Sequence, residues 1–578
     1  MFRYFVFIFV GTLLITVGCH RRVPAIQISN VDPFEATILA DYRSYREANL
    51  AKNFATMSTI AINNAGFLGV RASFDLARTS ALKPSERLEH FERALARRTE
   101  DPLARRENQE LMLELARLAE KSGNTEKALA AYEDSLPLPD ARKGLEQLHT
   151  NPYDLSRSYF KGRLYQDALK ALGTLQAPSI EGPSYQKLGQ HENALDAFER
   201  WLTEQPGNVD ALYGEAWSHF HLGNIEVAKG KLLNLTGSNA LYGQALIANR
   251  EGNVDKAVTL LMLSGRSPHA WLATGLLEAK DRYSDALPIY LHLAKSETHY
   301  NDDAAYRAMI LAQRLSLEDT ARRAKSLIPN DSFFGLKVGK FPYVPKTSHL
   351  PNLRPPVIDL AAALAKAGDI ESAIGELKLS LNYSDDEATI VALGEALQMY
   401  GEYRQSQRKA ASFVSRGSTD LRTWKLAYPQ AYPELVLIEA NQYNLEPAII
   451  WAVMRRESAF YPKAVSRSNA QGLMQVIPST WNWLAELRSE KPGDPFNPAL
   501  NIKYGSTYLA WLMKLFENDL ELTVASYNRG QGYIQRLFEG SVVGRDKDEL
   551  YREIDTLETR EYMQKVMLSV AIYRELYN

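Results

Sequence analysis

Hydrophobic and polar positions follow one another along this chain in three different ways. Residues Tyr4–Val17 form a nearly continuous apolar stretch behind a single early cation, Arg3, and end at Gly18-Cys19 with Arg21-Arg22 beyond. That stretch is shorter than the roughly 20 residues a spanning helix needs, which predicts a cleaved export signal over residues 1–18. From about residue 30 to 420 the pattern changes to segments rich in Ala, Leu, Glu and Arg, with few β-branched runs and with Gly or Asp turns between them, which predicts stacked helices. Pro342, Pro345, Pro351, Pro355 and Pro356 interrupt these helices, because each removes a backbone donor and disfavours helix in its predecessor. Residues 341–356 are therefore expected to connect a helical block, 19–340, to a helical linker block, 357–425. A further boundary falls where Gly417-Ser418-Thr419-Asp420 offers turn and cap residues and Tyr428-Pro429 and Tyr432-Pro433 follow; beyond it, over 426–578, aromatic residues become dense.

An internal repeat sharpens the helical reading. Leu188-Gly189-Gln190 returns as Leu222-Gly223-Asn224 after 34 residues, and Ala194 returns as Ala228 at the same offset, the period of a tetratricopeptide-type helical hairpin. Gly123 before Ala128, Gly252 before Ala257 and Gly368 before Ala373 keep the five-residue spacing between turn and small residue. Alanine there lets two helices approach closely, and glycine supplies a left-handed turn. Ala228 and Ala257 are only 29 residues apart, so the expectation is a degenerate TPR-like α-superhelix, not a consensus array. Such stacks usually present a concave surface for protein partners; a scaffold with no ligand of its own is the plainer alternative.

Composition adds exclusions. The 578 residues hold 67 basic and 69 acidic side chains, a formal charge of -2, so no global field recruits nucleic acid or an anionic membrane. Cys19 is the only cysteine, which rules out an intrachain disulfide. Its place directly after the apolar stretch suggests lipid attachment, and Thr16-Val17-Gly18-Cys19 resembles the bacterial lipoprotein box, departing from it at Thr16, where Leu is usual. No metal-ligand cluster, phosphate-binding glycine loop or nucleophile triad stands out, so no metal and no cofactor are predicted.

The candidate chemistry lies in the last region. From Glu446-Pro447 the sequence reads as a helix with proline in its first turn, and Ile450, Val453 and Met454 fall seven, four and three residues before Glu457. Glu457 is thereby placed on the buried stripe, where desolvation raises a carboxyl pKa toward the range a general acid needs. Arg455 and Arg456 are expected to point away from that face. Ala470-Gln471-Gly472-Leu473-Met474-Gln475 then offers a compact floor suited to a sugar ring, and Trp481, Trp483 and Trp511 offer faces for stacking, with core packing the plainer reading for most of them.

Glu457-Ser458, Phe460, Pro462, Ala464, Ser466, Ala470, Gly472-Leu473-Met474-Gln475, Pro478 and Thr480 resemble the soluble lytic murein transglycosylase family. Asn501-Ile502 with Gly505 and Tyr508-Leu509, then Ala525-Ser526-Tyr527-Asn528 with Gly530, then Glu558-Thr559-Arg560 with Tyr562 are similar to its later motifs, over about residues 440 to 575. Asn469 and Arg529 depart from the family pattern, where Gly and Ala are usual. The resemblance implies an all-α protein with a lysozyme-like C-terminal domain, a periplasmic enzyme anchored to the outer membrane through Cys19, and peptidoglycan glycan strands as substrate. It implies Glu457 as the catalytic group and Ser458, Gly472, Met474, Gln475, Tyr527, Asn528 and Glu558 as substrate-binding residues. Glu558 also fits a helix N-terminal acid complementing the dipole. A lysozyme-like hydrolase using water, and a non-catalytic scaffold lipoprotein, are the competing functions.

Overall fold

The computed structural model describes residues 39–98, 104–540, 548, 551, 554 and 556–577. The export signal and Cys19 lie outside the described residues. Among the described residues the secondary structure is α-helical apart from two isolated antiparallel bridges, Val465 to Gln471 and Gln471 to Val476, and no helix is long and apolar enough to cross a membrane.

The repeat turns carry two adjacent local instructions. Gly123 and Gly252 sit at φ of +80° and +81°, which glycine adopts without strain, and the next residue caps the following helix: Asn124 accepts from the Lys127 N–H and Asn253 from the Lys256 N–H. Ala128, Ala194, Ala228, Ala257 and Ala373 are each 0% exposed, so any larger side chain there would push paired helices apart. The resulting cores are small and sequential: one around Phe198, another around Leu232, another around Leu261. This is the neighbour-to-neighbour packing of a solenoid.

The superhelix closes on itself, and this corrects the expectation of a linker block. Helices Pro356–Lys366, Ile370–Tyr383 and Glu387–Met399 share one core with the N-terminal helices, from Leu39 and Tyr42 to Leu76. Glu376, buried, accepts from the Tyr42 hydroxyl at 2.6 Å and from the Leu68 N–H at 3.1 Å, while Arg71 pairs with Asp369 at 2.7 Å. The proline-rich connection between Lys337 and Pro356 is pinned by Asp420, which accepts from the Ser348 hydroxyl and the His349 and Leu350 N–H groups. Burial opposes the charge on Asp420, but these hydrogen bonds prevail and hold its carboxyl down at about 2.

Four described helices of the C-terminal region, Pro433–Tyr443, Pro447–Ser458, Pro478–Leu487 and Pro498–Leu515, begin with proline in the first turn. The final helix, Leu557–Tyr577, packs against Pro447–Ser458, and one core runs from Ala270 of the superhelix through Ile450 to Leu576. At that junction the Arg560 guanidinium lies 4.9 Å over the Trp271 ring and 5.7 Å from that of Tyr300, and Gln564 donates to Asp303 at 3.1 Å. The last helix is thus gripped by the superhelix on one side and by the Glu457 helix on the other.

Candidate active site

Ile450, Val453 and Met454 are 0% exposed, and they anchor the helix on whose last turn Glu457 stands. The chain reverses immediately after Ser458, with Ala459 and Phe460 at φ of +47° and +65°. Glu457 keeps a partly exposed edge while the rest of its carboxyl is enclosed by protein. Burial pushes it up to about 7; the hydrogen bond from Tyr562 and the charge of Arg456 pull it down, and the charge of Glu558 pushes it up. The Tyr562 hydroxyl donates to Glu457 Oε1 at 2.7 Å. Arg455 stacks 4.0 Å over Tyr428 and donates to the Ala427 carbonyl, away from the carboxyl, and exposed Arg456 acts on it through charge without a hydrogen bond.

The floor of the site is the 470–475 turn, held from three directions. Asn501 accepts from the Met474 N–H at 2.7 Å and donates to the carbonyls of Gln471 and Pro495 at 3.0 and 2.8 Å. The Ser458 hydroxyl donates to the Leu473 carbonyl at 2.7 Å, with the Met454 carbonyl its alternative acceptor at 3.2 Å, and the Tyr527 hydroxyl donates to the Met474 carbonyl at 2.8 Å. Gly472 has φ +80° and lies against Asn501, whose Nδ2 a Cβ would meet at 2.1 Å. Asn469, at φ +62°, takes the left-handed conformation that asparagine tolerates.

These contacts reassign several residues. Ser458 is fully buried and its hydroxyl serves main-chain carbonyls, so it orders the turn and does not reach Glu457 or a sugar. The Met474 side chain is 0% exposed and packs where Gly505 leaves room, so it does not line the groove. The Gln475 amide donates to the Ala464 and Gly472 carbonyls at 3.0 and 2.8 Å, which leaves its oxygen as the group able to serve a ligand. Asn528 accepts from the Thr559 hydroxyl at 2.8 Å, tying the Tyr527 helix to the final one. Glu558 is exposed and near enough to act on Glu457 through its charge. Trp481 is buried, donates to the Gly493 carbonyl and packs 4.4 Å from Tyr504, so it belongs to the core. Trp483 and Trp511, half-buried, meet edge to face at 5.1 Å, and Tyr508 joins that pair to Tyr527, whose ring lies 5.2 Å away.

Two side chains of the site stand in the quoted motifs, but sequence reasoning gives neither a role. Tyr562 stands in a quoted motif but gives no sign of its partner; the one available signal is a hydroxyl placed beside Met563 and Val566 on a buried face. Asn501, fully buried, is the other, and its signal is a polar residue on an apolar helix face. Both Tyr527 and Tyr562 have hydroxyl pKa values raised well above the ordinary value, first by burial and then by the charge of Glu457. Elsewhere among the described residues, Glu199, Glu215 and His219 bring possible metal-ligand atoms within 4.8 Å of one another, but Glu215 is already paired with Lys231 at 2.6 Å.

Both parts of the fold have counterparts. Residues 434–548 match the family described as Transglycosylase SLT domain, and residues 181–235 match the one described as Tetratricopeptide repeat. Its relatives are lytic murein transglycosylases. It is 32% identical over 152 residues to the soluble lytic murein transglycosylase of Escherichia coli K12, covering 25% of this chain and 23% of that one. It is 30% identical over 166 residues to the membrane-bound lytic murein transglycosylase C of Shigella sonnei, covering 25% of this chain and 46% of the relative. The chain thus spans about a quarter of the length of the soluble relative it matches. The 70 kDa soluble lytic transglycosylase of Escherichia coli shares the fold over 93% of this chain and 91% of its own, with a TM-score of 0.54 at 17% identity.

Proposed function

We propose that this protein is a peptidoglycan lytic transglycosylase that cleaves the β-1,4 bond between N-acetylmuramic acid and N-acetylglucosamine in cell-wall remodelling or turnover. The observation that carries the reading is a single enclosed carboxyl, Glu457, raised to about 7 and hydrogen-bonded by a tyrosine at 2.7 Å. Protonated, it hands its proton to the bridging oxygen, and the N-acetylglucosamine departs as an alcohol. The muramic C6 hydroxyl attacks C1 and gives its proton back to the Glu457 carboxylate, leaving a 1,6-anhydro end and consuming no water. Most glycosidases need two carboxylates, one of them for water or covalent attack. An internal nucleophile held by the sugar itself removes that need.

In this reading Tyr562 orients Glu457, the Gln475 oxygen and the tyrosines meet the sugar, and the Trp483–Trp511–Tyr508 surface stacks its apolar face. Residues 426–578 form the catalytic unit. The sequence of residues 1–19 supports export and acylation at Cys19, hence a periplasmic site on the outer membrane, with the superhelix available to protein partners. Glu457→Gln is expected to lower muropeptide release from sacculi by at least about 100-fold, the range general acids contribute, while circular dichroism and sacculus binding are retained. Undiminished release by that variant would refute the assignment.

A further inference from the structure

One helix joins the superhelix to the candidate site. The Tyr562 hydroxyl holds Glu457 at 2.7 Å, and Tyr562 stands on Leu557–Tyr577. Two residues of helix turn the chain by about 200°, so Arg560 lies on the far side of that helix from Tyr562, and Gln564 lies one turn beyond Arg560 on the same side. Both far-side residues meet the superhelix. The buried Arg560 guanidinium lies 4.9 Å over Trp271, of helix Ser267–Glu278, and 5.7 Å from the Tyr300 ring. Gln564 donates to Asp303, in the first turn of Asn301–Arg314, at 3.1 Å. The anchor is itself fixed: Trp271 meets Tyr290 edge to face at 5.5 Å and stacks on Tyr300 at 5.2 Å. The Tyr290 hydroxyl in turn donates to Glu278 at 2.5 Å, a carboxylate that Arg307 also binds. Arg560 Nε is buried without a hydrogen-bond partner. An unpaired buried donor opposes folding, whereas a ring face fixes where a guanidinium sits, so this contact supplies location more than stability.

The site needs that location closely held. A side-chain tip lies about 5–6 Å from a helix axis, so rotating Leu557–Tyr577 by about 10° carries the Tyr562 hydroxyl through about 1 Å. A 2.7 Å hydrogen bond stretched by that amount is no longer one. On the side facing Glu457, Met563 and Val566 pack by burial, which is non-directional and resists a small turn weakly. The Thr559 hydroxyl, donating to Asn528 at 2.8 Å, fixes the first turn of the helix. Arg560 and Gln564 bracket Tyr562, and their directional contacts set its rotation.

We propose that Trp271 and Asp303 are positioning residues for glycan cleavage: through Arg560 and Gln564, the superhelix holds the Tyr562 hydroxyl on Glu457. This rests on the transglycosylase reading for the reaction, and it makes the repeat region part of the cutting apparatus. A displacement of about 1 Å in the group that orders the reacting carboxyl is expected to cost up to about 100-fold in rate.

Cleavage of soluble peptidoglycan strands by the full chain, followed as release of anhydro-muropeptides, tests this. Trp271→Leu is expected to lower kcat at least about tenfold with KM within about twofold, and to move the falling limb of the pH profile to higher pH, as Tyr562→Phe does. In a Tyr562→Phe chain the same substitution is expected to cost less than about twofold, since the hydroxyl that it places is gone. Asp303→Ala is expected to lower kcat about threefold, and Asp303→Asn, which keeps an oxygen for Gln564, to recover most of that loss. This pair keeps the test valid if Trp271→Leu fails to fold. Losses that multiply undiminished in the Tyr562→Phe background, a rise in KM alone, or an unchanged kcat in Asp303→Ala would overturn the proposal. A parent chain that yields no anhydro products refutes the catalytic reading and this proposal with it. Anhydro products from a parent chain whose variants do not couple to Tyr562 refute the positioning role alone.

Discussion

Glu457 titrates near 7 because burial outweighs the hydrogen bond from Tyr562 and the charge of Arg456, both of which favour its ionised form. A proton donor with that value works while protonated, so muropeptide release is expected to fall as pH rises through about 7. Tyr562→Phe removes a bond to the carboxylate and raises its pKa further, so the falling limb of the pH profile should move to higher pH while the maximal rate drops. A limb that moves to lower pH would contradict this geometry. The same burial weighs against folding. Between the unfolded value of about 4.3 and the folded value of about 7, the native state holds the extra proton, so this group's contribution to stability declines as pH rises through that window. Glu457→Gln abolishes the charge and keeps an oxygen for Tyr562, and a gain on the order of 1–3 kcal/mol is expected above neutral pH but not below about pH 4. Thermal melts at both pH values check it. The apolar spacing of Ile450, Val453 and Met454 made Glu457 legible in the sequence, because helical periodicity is a local property. Tyr562 was not, since its partner lies 105 residues away and spacing carries no signal over that distance.

The 470–475 turn converts a helix end into a binding floor, and Gly472 decides whether it closes. Alanine there would combine a φ of +80° with a Cβ placed 2.1 Å from Asn501 Nδ2 and 2.4 Å from the Pro495 carbonyl. Gly472→Ala is expected to cost at least about 2 kcal/mol and to abolish muropeptide release, as followed by urea unfolding and by product yield; near-parental values for both would show that the turn is more pliable than its contacts require. The hairpin turns were legible at Gly123-Asn124 and Gly252-Asn253, where glycine and cap are neighbours. Motif residues such as Ser458 and Met474 were legible as positions but not as roles, because identity does not say whether a hydroxyl or thioether faces a groove or a carbonyl.

Closure of the superhelix is what gives the Glu457 helix and its neighbours a fixed support, and it depends on pairs that sequence spacing cannot reveal. Glu376 meets Tyr42 across 334 residues, so the 357–425 block looked like a connection and is instead the seam of the ring. Glu376→Ala leaves the Tyr42 hydroxyl and the Leu68 N–H buried without an acceptor, an expected loss of about 1–3 kcal/mol for each unsatisfied group. Limited proteolysis should then cut the N-terminal helices first, and an unchanged digestion pattern would show that the seam holds without this residue. The account as a whole turns on one carboxyl and an internal nucleophile. Its most direct test is the mass spectrum of muropeptides released from purified sacculi. Ends lighter by one water, the mark of a 1,6-anhydro ring, are predicted, and release of reducing muramic ends alone would contradict it.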